Sequence, residues 1–306
     1  MSKWNRKIWA AILVVGMTAS LTACGGSKGE NSNASAAGTQ NETATVQDES
    51  TDSNTDSTGS TTSLVQDNRV LQIPDDNYRT YYELFVYSFY DSDGEGIGDL
   101  QGVLEKLDYL NDGDDTTDMD LGINGIWLMP VMPSPTYHKY DVTDYCDIDP
   151  EYGTMDDFKN LIAACHERGI NVIIDLVMNH TSSQHEWFKT AADYLKNLPE
   201  GAEPDASECP YVDYYNFSKE MQGGYSKLDG TDWYYEAQFW SEMPDLNLGS
   251  QAVRDEFDKI VDFWLDLGVD GFRLDAAKEY YSGSVDKNVE VLSWFHSMVK
   301  EKKEDA

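Results

Sequence analysis

The sequence predicts a parallel α/β architecture of successive strand–helix units with one long insertion. Three observations carry that prediction. From about residue 82, short apolar or β-branched runs alternate with segments of helical periodicity. Residues 170–177 are apolar at nearly every position, the pattern of a parallel strand covered on both faces. After His180 the alternation stops until about residue 250, too long for an ordinary loop, so residues 181–249 read as an inserted subdomain.

Before the folded part comes a leader. Lys3, Arg6 and Lys7 precede an apolar run over residues 8–19 and then Leu21-Thr22-Ala23-Cys24. This is the pattern of a secretory signal, too short for a membrane span. The Leu-Thr-Ala-Cys ending resembles a bacterial lipobox, which implies a lipidated Cys24 and a protein on the outer cell surface, held to the membrane by its lipid alone. Ordinary signal cleavage with an incidental Cys24 is the alternative. From residue 25 to about 68 the chain is Ser, Thr, Asn, Gly, Asp and Glu with almost no large apolar side chain. Such a stretch cannot offset chain entropy by burial and is expected to be a disordered tether.

The net charge is −34, from 22 basic and 56 acidic residues. That excess argues against nucleic acid or an anionic membrane as a partner of the folded part. Besides Cys24 there are Cys146, Cys165 and Cys209. Three cysteines cannot all pair, and their spacing fits no zinc pattern. They read as mostly free, buried thiols, with a Cys146–Cys209 or Cys165–Cys209 bridge left open.

The first strand is expected over residues 82–89, an aromatic β-rich run. The loop that follows alternates acids with glycines: Asp91, Asp93, Glu95 and Asp99 around Gly94, Gly96 and Gly98. Calcium wants six to eight oxygens, and glycines let a chain curl until they converge. A solvated acidic turn is the plainer alternative. Leu100, Val103, Leu104, Leu107 and Leu110 mark one helix. Residues 112–120 form a polar, acidic connection. A buried strand over 125–129 stops at Pro130, and the loop over 130–149 carries His138, Tyr140, Asp141, Asp144 and Tyr145. Residues 156–168 form a helix stopped by Gly169.

The strand over 170–177 contains Asp175 and is followed by Asn179 and His180. Beyond the insertion, residues 250–267 resume as an amphipathic helix. Gly271-Phe272-Arg273-Leu274-Asp275 then reads as a strand ending in a carboxylate, and a last helix covers 285–300. Strand side chains alternate, so Arg273 and Asp275 share a face. The neighbouring cation favours the charged carboxylate, and such a group at a strand end suits a nucleophile. A structural Arg–Asp pair is the alternative.

Four motifs agree on one family. Asp175-Leu176-Val177-Met178-Asn179-His180, Gly271-Phe272-Arg273-Leu274-Asp275, Met243-Pro244-Asp245-Leu246-Asn247 and the acidic loop over 91–99 resemble, in this order and spacing, the α-amylase family of glycoside hydrolases. The resemblance covers roughly residues 77–306. It implies a (β/α)8 TIM barrel with a small domain inserted after the third strand, of which about four βα units lie in this chain. The organisation then becomes signal peptide 1–24, tether 25–76, first half of the barrel 77–180, inserted subdomain 181–249 and barrel continuation 250–306.

The resemblance further implies retaining hydrolysis, with Asp275 as nucleophile and Arg273 holding it. It places His138, Tyr140, Asp175 and His180 around the sugar, and Lys278 and Glu279 just beyond the strand where substrate contacts fall. Asp91, Asp93, Glu95, Ile97 and Asp99 become the Ca2+ loop, with Glu95 where aspartate is usual. Relatives that trim single glucose units often carry an acid at the position of His138. An endo-acting α-amylase on starch or maltooligosaccharides is therefore expected over an oligo-1,6-glucosidase or neopullulanase. A non-catalytic glycan-binding protein of the same fold is the rival from another class.

Trp187, Trp233, Tyr234, Tyr235 and Trp240 could stack on sugars or pack the insert. The family's general acid and its stabilising aspartate belong to the fifth and seventh strands. Glu279 and Glu290 are poor substitutes for the acid. The 306 residues are accordingly expected to be the N-terminal part of a longer enzyme, inactive as they stand.

Overall fold

The computed structural model describes residues 62–66 and 69–306; Cys24 and most of the expected tether lie outside these residues. Strand β1 (Thr62–Gln66) pairs antiparallel with β2 (Arg69–Ile73). This hairpin falls inside the segment expected to be a tether as far as residue 76. Its second strand is anchored on the folded body. Leu71 is buried, and a Cβ placed on Gly169 would sit 3.2 Å from its Cδ2. The Gln72 amide donates to the Asp115 carboxylate.

A single turn of 3-10 helix (Asp76–Tyr78) leads into β3 (Tyr81–Leu84) and the short helix α1 (Val86–Phe89). The strand expected over 82–89 therefore ends at Leu84. Past that point the backbone turns to receive the acidic loop. The Tyr87 carbonyl accepts the Gly98 amide at 2.7 Å and the Tyr90 carbonyl accepts the Asp99 amide at 3.1 Å. The helix expected over 100–110 is likewise split at Lys106 into α2 (Leu100–Glu105) and α3 (Leu107–Leu110). Strand β4 (Gly125–Leu128) follows, then α4 (Met155–Glu167), which opens with a capping box between Thr154 and Asp157. Gly169, at φ 70°, ends that helix before β5 (Asn171–Leu176).

The insertion carries α5 (Glu186–Asn197) and the strands β6 (Phe217–Ser218), β7 (Tyr225–Lys227) and β8 (Tyr234–Glu236). These form a small antiparallel sheet in the order β6-β8-β7. Trp233 and Tyr235 are buried, and Phe188 packs edge-on against Tyr215 and Tyr235 at 5.1 and 4.8 Å. Those aromatics are the insert's core, whereas Trp240 is exposed. The chain returns through α6 (Gln251–Asp266), β9 (Gly271–Leu274) and α7 (Val285–Lys302).

The main sheet runs β3-β4-β5-β9 and is parallel throughout. Each strand lies beside its predecessor, the progression of a barrel rather than of a doubly wound sheet. The (β/α)8-type fold with its insert after the third barrel strand is present as expected. Ile126, Leu128, Val172, Ile174 and Leu176 of the sheet are buried, as are Phe158 and Leu161 of α4 and Phe257, Val261 and Trp264 of α6. The Trp264 indole donates to the Tyr145 carbonyl at 2.8 Å, which satisfies its one polar atom in the core. Cys146, Cys165 and Cys209 are free thiols; Cys146 is exposed rather than buried, because it sits on a turn where its amide donates to Asp144.

Candidate active site

The register of the sheet brings the key carboxylates together. Asp175 on β5 lies directly beside Arg273 on β9, so two residues 98 positions apart share one level of one face. Arg273 Nη1 donates to Asp275 Oδ1 at 2.6 Å and to both oxygens of Asp175 at 3.1 Å. Tyr140 Oη and Trp127 Nε1 donate to Asp175 Oδ2 at 3.1 and 3.2 Å. The guanidinium also lies 4.7 Å from the centre of the Trp127 ring. Asp175 is fully buried, and that burial outweighs Arg273 and pushes its carboxyl up to about 6. Ala276, at φ 51°, then turns the chain sharply away after Asp275.

His180 leaves β5 and is buried at the wall of the cleft. Its Nδ1 lies 3.3 Å from Asn179 Nδ2, whose other hydrogen goes to Asp245 Oδ1 at 3.0 Å. An amide nitrogen can only donate, so Nδ1 accepts and the proton sits on Nε2. That Nε2 is buried with no partner. Burial lowers the imidazole to about 4, which keeps it neutral. The motif Met243-Pro244-Asp245-Leu246-Asn247 laces the insert onto this strand exit. Leu246 donates to the Asn179 carbonyl at 2.8 Å, and the Thr181 amide donates to the Pro244 carbonyl at 3.1 Å. Burial pushes Asp245 up to about 7.

His138 Nδ1 accepts the Tyr140 amide at 3.1 Å, so its Nε2 also carries the proton. His138, Tyr140, His180 and Asp275 line an open cleft of about 430 Å³, closed on the insert side by Phe239, Trp240 and Met243. Phe239 was not identified from the sequence; its ring lies 5.5 Å from that of His180. Trp127 was missed too, although strand alternation places it opposite Ile126 and Leu128 and so on the face of Asp175.

Lys278 and Glu279 are not brought to this cleft. Lys278 is exposed with its Nζ 3.2 Å from Glu279 Oε1, and Glu279 Oε2 accepts the Ser282 hydroxyl. Glu290 lies on α7, paired through both its oxygens with Arg254 at 2.9 and 2.8 Å.

In the acidic loop, carboxylate oxygens of Asp91, Asp93 and Asp99 lie within 4.8 Å of one another. Gly94 and Gly96 amides donate to Asp91 at 2.7 and 2.8 Å and hold its carboxyl below the usual range. Asp99 caps α2 through the Gly102 amide at 2.6 Å. Glu95 is exposed and outside this cluster, and Ile97 offers only a backbone carbonyl. Converging hard oxygens on a glycine-curled backbone fit calcium.

A run of parallel βα units with a clamped carboxylate at the C-terminal strand ends is the arrangement of a β/α-barrel catalytic domain. Residues 83–303 match the alpha-amylase catalytic domain, and the chain belongs to that family. It is 48% identical over 227 residues to alpha-amylase 3 of Dictyoglomus thermophilum, covering 74% of this chain and 41% of that protein. Against the oligo-1,6-glucosidase of Parageobacillus thermoglucosidasius identity is 40% over 208 residues, 63% of this chain and 34% of that one. The solved structure of Eubacterium rectale Amy13B superposes with a TM-score of 0.72 at 63% identity, over 76% of this chain and 43% of that one. The chain thus spans less than half the length of these relatives.

Proposed function

We propose that these residues form the nucleophile side of a retaining α-glucan hydrolase, an endo-acting α-amylase on starch and maltooligosaccharides. The observation that carries this reading is Asp275, held by Arg273 at 2.6 Å on the wall of a cleft that also presents Tyr140, His138 and His180. Asp275 attacks the anomeric carbon as the glycosidic C–O bond breaks. The Nε2–H groups of His180 and His138 donate to sugar hydroxyls, and the Tyr140 ring stacks on the sugar. Among the described residues Asp275 is the one carboxylate lining the cleft. The acid that protonates the leaving oxygen is therefore proposed to come from outside them.

Asp275→Asn in the full natural chain is the test. Starch hydrolysis should fall by several orders of magnitude, about 10⁴-fold; unchanged hydrolysis would sink the assignment. Products separate the subclasses, because an oligo-1,6-glucosidase would release glucose from isomaltose and leave starch without endo-cleavage. Neopullulanase activity would appear as cleavage of pullulan. A glycan-binding protein would bind maltooligosaccharides without cleaving them.

Ca2+ is the proposed ion for Asp91, Asp93 and Asp99, where it would offset two of the three negative charges and brace the loop between α1 and α2. A lipid on Cys24 and display on the outer cell surface are proposed from the N-terminal motif. Metabolic labelling with a fatty acid, lost in Cys24→Ala, tests the lipid, and protease digestion of intact cells tests the display.

A further inference from the structure

Lys139 stands between the two residues that the cleft needs most from its loop, yet it does not face the cleft itself. It is buried, at 1% exposure, and its backbone is left-handed at φ 63°. Residues with a Cβ avoid that region, and one that occupies it persists only where its surroundings over-determine it. Glycine would adopt it without cost, so the backbone alone does not call for lysine. The side chain supplies the reason. Lys139 Nζ lies 2.8 Å from Asp149 Oδ2, pairs also with Glu151, and sits 5.3 Å from the Tyr152 ring.

Asp149 is itself immobilised. Its Oδ2 accepts the Ser134 amide at 3.0 Å, its Oδ1 accepts the Glu151 amide at 2.9 Å, and its own amide donates to Val131. A buried ammonium without such partners would be strongly unfavourable, so the pair over-determines where this side chain goes. With Lys139 drawn inward, residues 138 and 140 both line the cleft, and the Tyr140 amide reaches back to His138 Nδ1.

We propose that Lys139 is a positioning residue: its ion pair with Asp149 and Glu151 holds the left-handed turn that aims His138 and Tyr140 into the cleft. The kinetic part of its test rests on the α-glucan hydrolase reading; the spectroscopic part does not.

The full natural chain would be compared with Lys139→Gly, which tolerates φ 63° without the tether, and with Tyr140→Ala and the double variant. Glu151→Gln removes one partner at a half-exposed site and serves if Lys139→Gly does not fold. On maltoheptaose, Lys139→Gly should lower kcat/KM about tenfold or more. Tyr140→Ala should then cost much less in that background than alone, because the two act as a unit. Glu151→Gln should give a smaller loss, about threefold. Long-range ¹H–¹⁵N NMR of the His138 ring should show Nδ1 losing its amide donor in Lys139→Gly.

Additive kinetics with an unmoved His138 signature would overturn the proposal and leave Lys139 a stability residue. If the natural chain cleaves no α-glucan, the hydrolase reading fails and the His138 signature alone decides the role of Lys139.

Discussion

Arg273 Nη1 reaches Asp275 at 2.6 Å and both oxygens of Asp175 at 3.1 Å, so one nitrogen ties together two adjacent strand ends. Arg273→Met would leave Asp175 buried without its cation. The expected cost is about 3 kcal/mol of stability, read from denaturant unfolding. With Asp275, the proposed nucleophile, released, kcat/KM on α-glucan should also fall about 10²-fold. A variant as stable and as active as the parent would show that the pairing does not organise the site.

Asp175 makes a pH prediction whose sign is fixed by burial. Its folded carboxyl titrates at about 6, above the usual carboxylate range, so the folded state binds the proton more readily than the unfolded chain. Its contribution to stability is full at low pH and is lost as pH rises through 6. In Asp175→Asn that dependence vanishes. The stability of the parent relative to the variant should therefore fall by on the order of 1 kcal/mol per unit between pH 4 and 6. Melting temperatures across that range test it, and a pH-independent difference would remove the assignment.

Chelation tests the loop of Asp91, Asp93 and Asp99. Removing calcium should lower the melting temperature by about 5 °C, with recovery on adding calcium back. Asp91→Ala should abolish the response. No shift on chelation of the parent would count against any metal there.

Gly98 supplies a sharper probe of the same region. A Cβ at this position would sit 2.0 Å from the Val86 carbonyl oxygen, a backbone atom that cannot swing aside. Gly98→Ala should destabilise the protein by more than about 2 kcal/mol and weaken any response to calcium. Calorimetry gives both readings on one sample. An unaffected melting temperature would mean that the loop and α1 are not packed as described.

Much of the barrel was legible because its strands are nearly continuous apolar runs and its helices carry a clear 3.6-residue period. Ile170 to Val177 and the face of α6 built on Phe257, Val261 and Trp264 are examples. Boundaries were legible only where a local signal stood. Gly169 marked the end of α4, but the turn after Leu84 was hidden, since Phe85, Val86, Tyr87 and Phe89 suit a strand as well as a short helix. That turn answers to Gly98, whose close approach to the Val86 carbonyl is a backbone contact that side-chain periodicity does not record.

By itself the sequence determined that Arg273 and Asp275 would share a strand face. Alternation along Gly271-Phe272-Arg273-Leu274-Asp275 pairs Arg273 with Asp275, and the glycines of the acidic loop let its acids curl together, although Glu95, expected among them, stays outside the cluster of Asp91, Asp93 and Asp99. Only the tertiary structure decided that Asp175 is the second partner of Arg273, that Trp127 lies beneath the guanidinium, and that Phe239 closes the cleft over His180. It also drew Lys139 inward onto Asp149, where charge patterning alone would place a lysine in solvent. The physical reason is range. Backbone stereochemistry repeats every two or 3.6 residues and can be read locally. Burial of a charge depends on partners that strand register and loop packing bring in from elsewhere in the chain.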